Sequence, residues 1–334
     1  LTGIQKSILN DVIKGKRSLT PEMALLLENA LGISATFLMN IQTQYELDCA
    51  KKSERVVLQT KMLEIWNVLK EQVSTQFFRK VSIIKGNIIE DVNRIFEVFA
   101  VDNLDDFFGL KAQEMELPYY YRKSEKVTTN PADILSWKYY CYYLSRNDKS
   151  VLCMYDKDSA DALTKELNKV FKENTDTAKR TGEVLNRYGI RFFIVKKVGQ
   201  VPVDGMSFWI GDNPTIVVTE RIASIDNFAF TTLHEVGHVY KHLIKDGKAM
   251  INLFDEKKDS EESEADNFAL NAVVPNADWK KFLSKTRDVV PYKIAPYIMS
   301  EAEKHEVNPQ ILFGRYKHDN GIYKIKNYFE TRIL

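Results

Sequence analysis

A chain of 334 residues is too long for one small core and predicts two or three domains. With 44% hydrophobic residues it can bury a core, and 47 basic against 46 acidic residues exclude a uniformly basic nucleic-acid binder, so any basic surface is local. Cys49, Cys141 and Cys153 lack metal-binding or disulfide spacing and read as reduced thiols; no apolar run reaches membrane-spanning length or forms a leader, so a cytoplasmic protein with no membrane role is expected.

Residues 1–48 read as three short helices. Ile4, Ile8, Leu9, Val12 and Ile13 share one face of the first, which Gly15 stops. Thr20 is placed to cap the second, with Pro21 at its first position and Gly32 just past its end; Ser34 starts the third. One amphipathic helix is predicted over 52–80, with Val57, Met62, Ile65, Trp66 and Leu69 at helical spacing, and further helices over 87–109 and 132–146. The aromatic runs YYYR (119–122) and KYYCYYL (138–144) suit packing better than base stacking.

Near residue 180 the pattern changes. A helix runs into a strand with Ile190, Phe192 and Ile194 as its inward positions, and GMSFWI and TIVVTE form a hairpin across Gly-Asp-Asn-Pro. A helix follows over NFAFTTLHEVGHVYKHLI, with Phe228, Leu233, Val236 and Val239 on its apolar side. Another covers DSEESEADNFALNAVV up to Pro275, and the tail AEKHEVNPQILFGRYKHDNGI reads as helix, turn and helix. The expected class is α+β: a helical module over 1–48, a mainly helical connection over 49–150, and a domain over 151–334 with a small sheet.

Three of the five histidines, His234, His238 and His242, fall within nine residues. Residues four apart share a helix face, so His234 and His238 can reach one ion while Glu235 projects beside them toward a bound water. Gly237, between them, admits a close backbone. A third ligand is sought in the acidic run, where Glu262 and Asp266 are four apart and Glu264 is the rival. With Glu262 as ligand, Asp266 lies one turn on and can accept a hydrogen bond from a ligand histidine, and Ala265 and Ala269 allow close packing. His242, four past His238, is a candidate third helical ligand but is expected at the surface or behind a ligand; His305 is expected at the surface, and so is His318, whose alternative is to reach the cleft and stabilise an oxyanion. Two histidines and a carboxylate suit Zn2+, though other divalent ions are compatible.

From about residue 150 onward the chain resembles the ImmA/IrrE metallopeptidases. The resemblance is carried, in family order, by RYGIRFFIVKKV, VDGMSFWIGDNPTIVVTERIASIDNFAFTTLHEVGHV, EESEADNFALNAVVP and NPQILFGRYKHDNGI. Val273 and Val274 stand where many members have Leu-Leu or Leu-Ile. The resemblance implies a zincin-like fold, zinc held by His234, His238 and Glu262, and Glu235 as general base. It implies cleavage of a repressor or antitoxin-type regulator in a stress, prophage or toxin–antitoxin response.

Residues 1–48 are similar to the helix-turn-helix domain of HigA-type antitoxins and related XRE-type repressors, on IKGKRSLTPEMALLLENALGISATFLMNIQTQYEL. That likeness makes IQKSILNDVIKGKR the recognition helix. Gln5, Lys6, Ser7 and Asn10 become candidate base or phosphate readers, and Lys14, Lys16 and Arg17 phosphate contacts. The motif's first helix and most of its second are expected upstream of Thr2, and reading two half-sites implies a homodimer. The leading expectation is a zinc endopeptidase with a DNA-binding module; the other is a non-proteolytic repressor whose peptidase-like domain senses a signal. MSFWI or its neighbour TIVVTE is the expected sheet edge for a peptide substrate.

Overall fold

The structure, a computed structural model, describes residues 2–116, 130–150, 153–199, 203–220, 223–245, 248–249 and 259–333. The YYYR run lies outside them. The chain divides into two compact units, one of Leu1–Leu69 and Asn87–Val92 and the other of Lys70–Gly86 and Asn93–Leu334.

The first unit contains α1 (Lys6–Ile13), α2 (Pro21–Leu31), α3 (Ala35–Lys52) and α4 (Glu54–Leu69). Local chemistry sets the limits of α2. The Thr20 hydroxyl accepts from the Met23 N–H at 3.3 Å, Pro21 occupies the first turn, and Gly32 leaves at φ 69°, a left-handed conformation that costs glycine nothing. The core is small: Leu19, Met23, Ala24 and Ala35 are buried, with Ile4, Ile8, Val12, Leu27, Leu38 and Met39 against them. Two expectations change here. Ile13 is 76% exposed, because Ile4, Ile8 and Val12 keep the inward stripe and the next residue is turned about 100° away from it. The third helix is long, running past residue 48 to Lys52.

The helix expected over 52–80 is broken. After α4 comes α5 (Thr75–Lys80), because the Ser74 N–H donates to Ser136 Oγ at 2.8 Å and not to a carbonyl one turn back. The helix expected over 87–109 is two, α6 (Ile88–Phe99) and α7 (Leu104–Glu116). Arg146 donates to the carbonyls of Glu97 and Val98 at the end of α6, and Ala100 turns at φ 55°. The Asn103 side chain then accepts from the Asp106 N–H at 3.0 Å, starting α7. α8 (Pro131–Asn147) carries KYYCYYL, and its aromatics do pack: Tyr139 stacks on Phe99 at 5.0 Å, and Phe107 meets Phe99 edge-on at 5.0 Å.

α9 (Ala160–Glu173) and α10 (Thr177–Arg187) lead to β1 (Arg191–Val195), β2 (Gly205–Ile210) and β3 (Asn213–Thr219). The sheet order is β1-β3-β2, with β1 parallel and β2 antiparallel to β3. β2 and β3 form the expected hairpin, turning at Gly211 (φ 66°). TIVVTE is therefore the central strand, hydrogen-bonded on both sides, and not an edge; among the described residues the edges are β1 and β2. Helices cover both faces of the sheet, and β1, at its edge, breaks its expected alternation: Ile194 is 40% exposed while Val195 is buried. On one face α8 sets Tyr142 edge-on to Phe208 at 4.8 Å and Ser145 Oγ at 2.8 Å from Thr215 Oγ1. On the other, Trp209, Ile216 and Val218 share one core with Phe228, Leu233, Val236 and Val239.

Those last four residues line α11 (Ile225–Lys241), which packs on β2 and β3 and also on α9, on α12 (Asp259–Val273) and on α15 (Pro309–Asp319). Between α11 and α12 lie two short strands, β4 (Ile244–Lys245) and β5 (Lys248–Ala249). α13 (Asn276–Lys285) and α14 (Ala295–His305) precede α15, whose first turn is capped by Asn308. The molecule is α+β, helix-rich with a small sheet. No helix among the described residues is long and apolar enough to cross a membrane. Cys49 and Cys153 are exposed and Cys141 is buried, all three unbridged.

Candidate metal centre

α11 is buried on nearly all sides, so its polar residues are held where the fold puts them. His238 is fully buried, Glu235 is 3% exposed, and His234 is partly open. The i, i+4 spacing brings the Nε2 atoms of His234 and His238 to 3.0 Å. Glu262, on α12, completes the group: its carboxylate oxygens lie 3.4 Å from each of these nitrogens. One ligand atom from each of the three residues falls within 4.8 Å of the other two.

Two helices reach this separation because small residues face each other between them. A Cβ built on Gly237 would stand 3.2 Å from Ala265 Cα and 3.2 Å from Phe268 Cβ, and Ala265 and Ala269 are fully buried. At the far end of α12, Arg315 on α15 donates to the carbonyls of Leu270 (2.9 Å) and Val274 (3.1 Å) and to Asn276 Oδ1 (2.6 Å). Its guanidinium lies over the Trp279 ring at 4.7 Å. Burial pushes its pKa down to about 10, with Asp319 opposing the shift. Arg315 therefore caps the helix that carries Glu262 and Asp266.

The donor set fits a tetrahedral divalent ion. Zinc bonds of 2.0–2.2 Å to nitrogen and oxygen place neighbouring ligand atoms about 3.4 Å apart, against the 3.0, 3.4 and 3.4 Å seen here. Both rings also have partners on their other nitrogens. His234 Nδ1 lies 2.9 Å from Asp266 Oδ1, and His238 Nδ1 lies 2.9 Å from His242 Nδ1. Glu264, the rival to Glu262, instead meets His242 Nε2 at 3.3 Å and is 65% exposed.

Glu235 points toward β2. A Cβ on Gly205 would lie 2.8 Å from Glu235 Oε1 and 2.9 Å from Thr231 Cγ2, so any side chain at the first residue of β2 would displace the carboxylate or Thr231. Gly205 was not among the expected site residues; a glycine opening a strand is the one signal for such a close approach.

The other histidines separate. His242 is only 6% exposed, so it is not a surface group; the fold buries it between α11 and α12. His305, expected at the surface, is half-buried, its Nε2 held 2.9 Å from Glu301 Oε1. His318 is 77% exposed beside Asp319. In the first unit, Gln5, Lys6, Ser7, Asn10, Lys14, Lys16 and Arg17 are all exposed, on α1 or in the residues flanking it.

Comparison with curated proteins finds no match to the chain. Residues 185–301, from the end of α10 into α14, match the family model Peptidase_M78, described as the IrrE N-terminal-like domain. That stretch holds β1 to β3, both histidine ligand candidates and Glu262. This part of the chain is therefore similar to a peptidase-family domain, and a metallopeptidase-like function is what the match suggests.

Proposed function

We propose that the chain is a zinc-dependent endopeptidase carrying a helix-turn-helix DNA-binding module, and that its substrate is a repressor or antitoxin-type protein in the cytoplasm. The observation that carries the peptidase reading is the convergence of His234, His238 and Glu262 beside a buried Glu235 that β2 holds in place. Zinc at these three residues supplies a Lewis acid for the scissile carbonyl and lowers the pKa of a bound water toward about 7.

The protein's own groups do the rest. Glu235 accepts a proton from the attacking water on its carboxylate and passes it to the nitrogen of the leaving amine. Asp266 accepts from His234 Nδ1 and so keeps Nε2 free as a donor atom. The largely buried α11 excludes bulk water from one side of the centre. An extended peptide adds to the free edge of β2, the strand that touches Glu235.

The DNA-binding part rests on the exposed polar face of α1, where Gln5, Lys6, Ser7 and Asn10 read bases or phosphates and Lys14, Lys16 and Arg17 contact phosphates. A dimer then spans two half-sites.

Elemental analysis of the full chain, purified without added zinc, tests the centre: near one zinc per wild-type chain is expected, with clear loss in Glu262→Gln. Glu235→Gln should keep the metal and lower cleavage of a purified helix-turn-helix repressor probe by about 10²–10⁴-fold. Metal bound in full but equal, absent cleavage in both forms would instead favour a non-proteolytic sensor.

A further inference from the structure

We propose that His242 is a positioning residue that fixes the tautomer of His238 and connects it to the carboxylate of Glu264; this rests on reading the centre as a metal site. His242 follows His238 by four residues at the end of α11 and is 6% exposed. It is not a ligand. Its Nδ1 lies 2.9 Å from His238 Nδ1 and its Nε2 lies 3.3 Å from Glu264 Oε2, so both nitrogens are engaged away from the point where the three ligand atoms meet.

One condition settles where the protons sit. His238 presents Nε2 to His234 and Glu262, at 3.0 and 3.4 Å. To ligate there a neutral ring needs a bare Nε2 and therefore a proton on Nδ1. That N–H donates to His242 Nδ1. The neutral His242 ring must then carry its own proton on Nε2, the atom that faces Glu264, and it donates to the carboxylate. Each contact is satisfied once and the chain ends on an acceptor.

The opposite arrangement fails. With the proton on His242 Nδ1, His238 receives it and must hold its own proton on Nε2, where it blocks the ligand lone pair. His242 Nε2 would also face the Glu264 carboxylate with no proton between two acceptors.

The two ligand histidines are thus oriented by different means. Asp266 takes the His234 proton side directly at 2.9 Å, whereas Glu264 acts on His238 through an imidazole. Such partners hold the ring and make its ligating nitrogen a stronger donor.

The test is the zinc affinity of the full chain, by competition with a chromophoric chelator, for wild type, His242→Phe, His242→Asn and Glu264→Gln. His242→Phe keeps the ring but removes the acceptor, and affinity should fall about 10–100-fold. His242→Asn returns an amide oxygen near the position of Nδ1 and should recover most of that loss. Glu264→Gln should weaken binding about two- to fivefold, because its exposed side chain is screened. Long-range 1H–15N spectra of the zinc-loaded wild type should show His238 protonated on Nδ1 and His242 on Nε2.

Unchanged affinity in His242→Phe, an Asn variant no better than Phe, or reversed tautomers overturns the proposal while leaving the metal reading intact. Zinc that fails to bind the wild type at all overturns both. If His242→Phe does not fold, the exposed Glu264→Gln decides, and unaltered affinity there counts against the relay.

Discussion

The α11–α12 pair and the α1–α4 unit are both built of helices, yet they bury very different amounts of themselves. α11 has eleven buried residues, polar ones included, and a backbone close enough to α12 that Gly237 nearly touches Ala265. In the α1–α4 unit the core around α2 has four buried residues, while Leu25, Leu31, Phe37 and Ile41 are all more than half exposed. The difference lies in what each helix needs. Bringing Glu262 to two histidines on another helix demands small residues at the crossing and a fixed axis separation, so packing is tight where chemistry is read. The α1–α4 helices hold no such crossing, and their core stays thin.

Truncation should expose this contrast first. Phe228 is 1% exposed and packs with Phe171 and Phe192, so Phe228→Ala should cost about 3–5 kcal/mol. Met23 is 9% exposed in the four-residue core, and Met23→Ala should cost about 2 kcal/mol, at the low end for such a change, because the site can collapse or hydrate. Thermal denaturation of the two variants compares them. Equal losses would mean that the small core is as tightly packed as the large one.

Gly237→Val sharpens the same point at the helix crossing. Its added methyls meet Ala265 Cα and Phe268 at 3.2 Å or less, and a backbone atom cannot swing away. A loss of about 1–3 kcal/mol is expected from overpacking, reduced by the better helix propensity of valine over glycine. Zinc affinity should fall with it, since displacing α12 carries Glu262 away from His234 and His238. A variant that loses stability but keeps full affinity would show that the metal-binding geometry tolerates a shifted helix.

Much of this was legible in the sequence, for identifiable reasons. Thr20, Pro21 and Gly32 mark α2 because capping chemistry is local, and the i, i+4 spacing of His234 and His238 fixes their common face. Ala265, Ala269 and Gly237 signal a close crossing by size alone. The failures need partners distant in sequence. Nothing local to residues 70–74 reveals that Ser136 takes the Ser74 N–H, and nothing near residue 97 reveals Arg146 closing α6. TIVVTE reads as a strand but not as a central one, because strand order is a property of pairing. The burial of His242 and the contact of Gly205 with Glu235 likewise exist only once α12 and β2 are in place.

The smallest expected effect lies at the margin of the peptidase-family stretch, where α9 and α10 are tied by one carboxylate. Glu166 accepts from Arg187 and, at 2.8 Å, from the Tyr188 hydroxyl, and these bonds, Arg187 first, hold its pKa below the ordinary 4.5. A carboxylate lowered on folding stabilises the native state above its unfolded value and loses that contribution as pH falls through the folded one. The stability gap between wild type and Glu166→Gln should therefore be constant from about pH 7 to pH 5.5 and close below pH 4.5. The side chain is 39% exposed, so the gap is small and shrinks with added salt. A gap that persists unchanged into acid would assign the link to the neutral Tyr188 and amide contacts, and would place this corner of the fold with the tightly packed α11–α12 region, where geometry and not charge sets the strength of a contact.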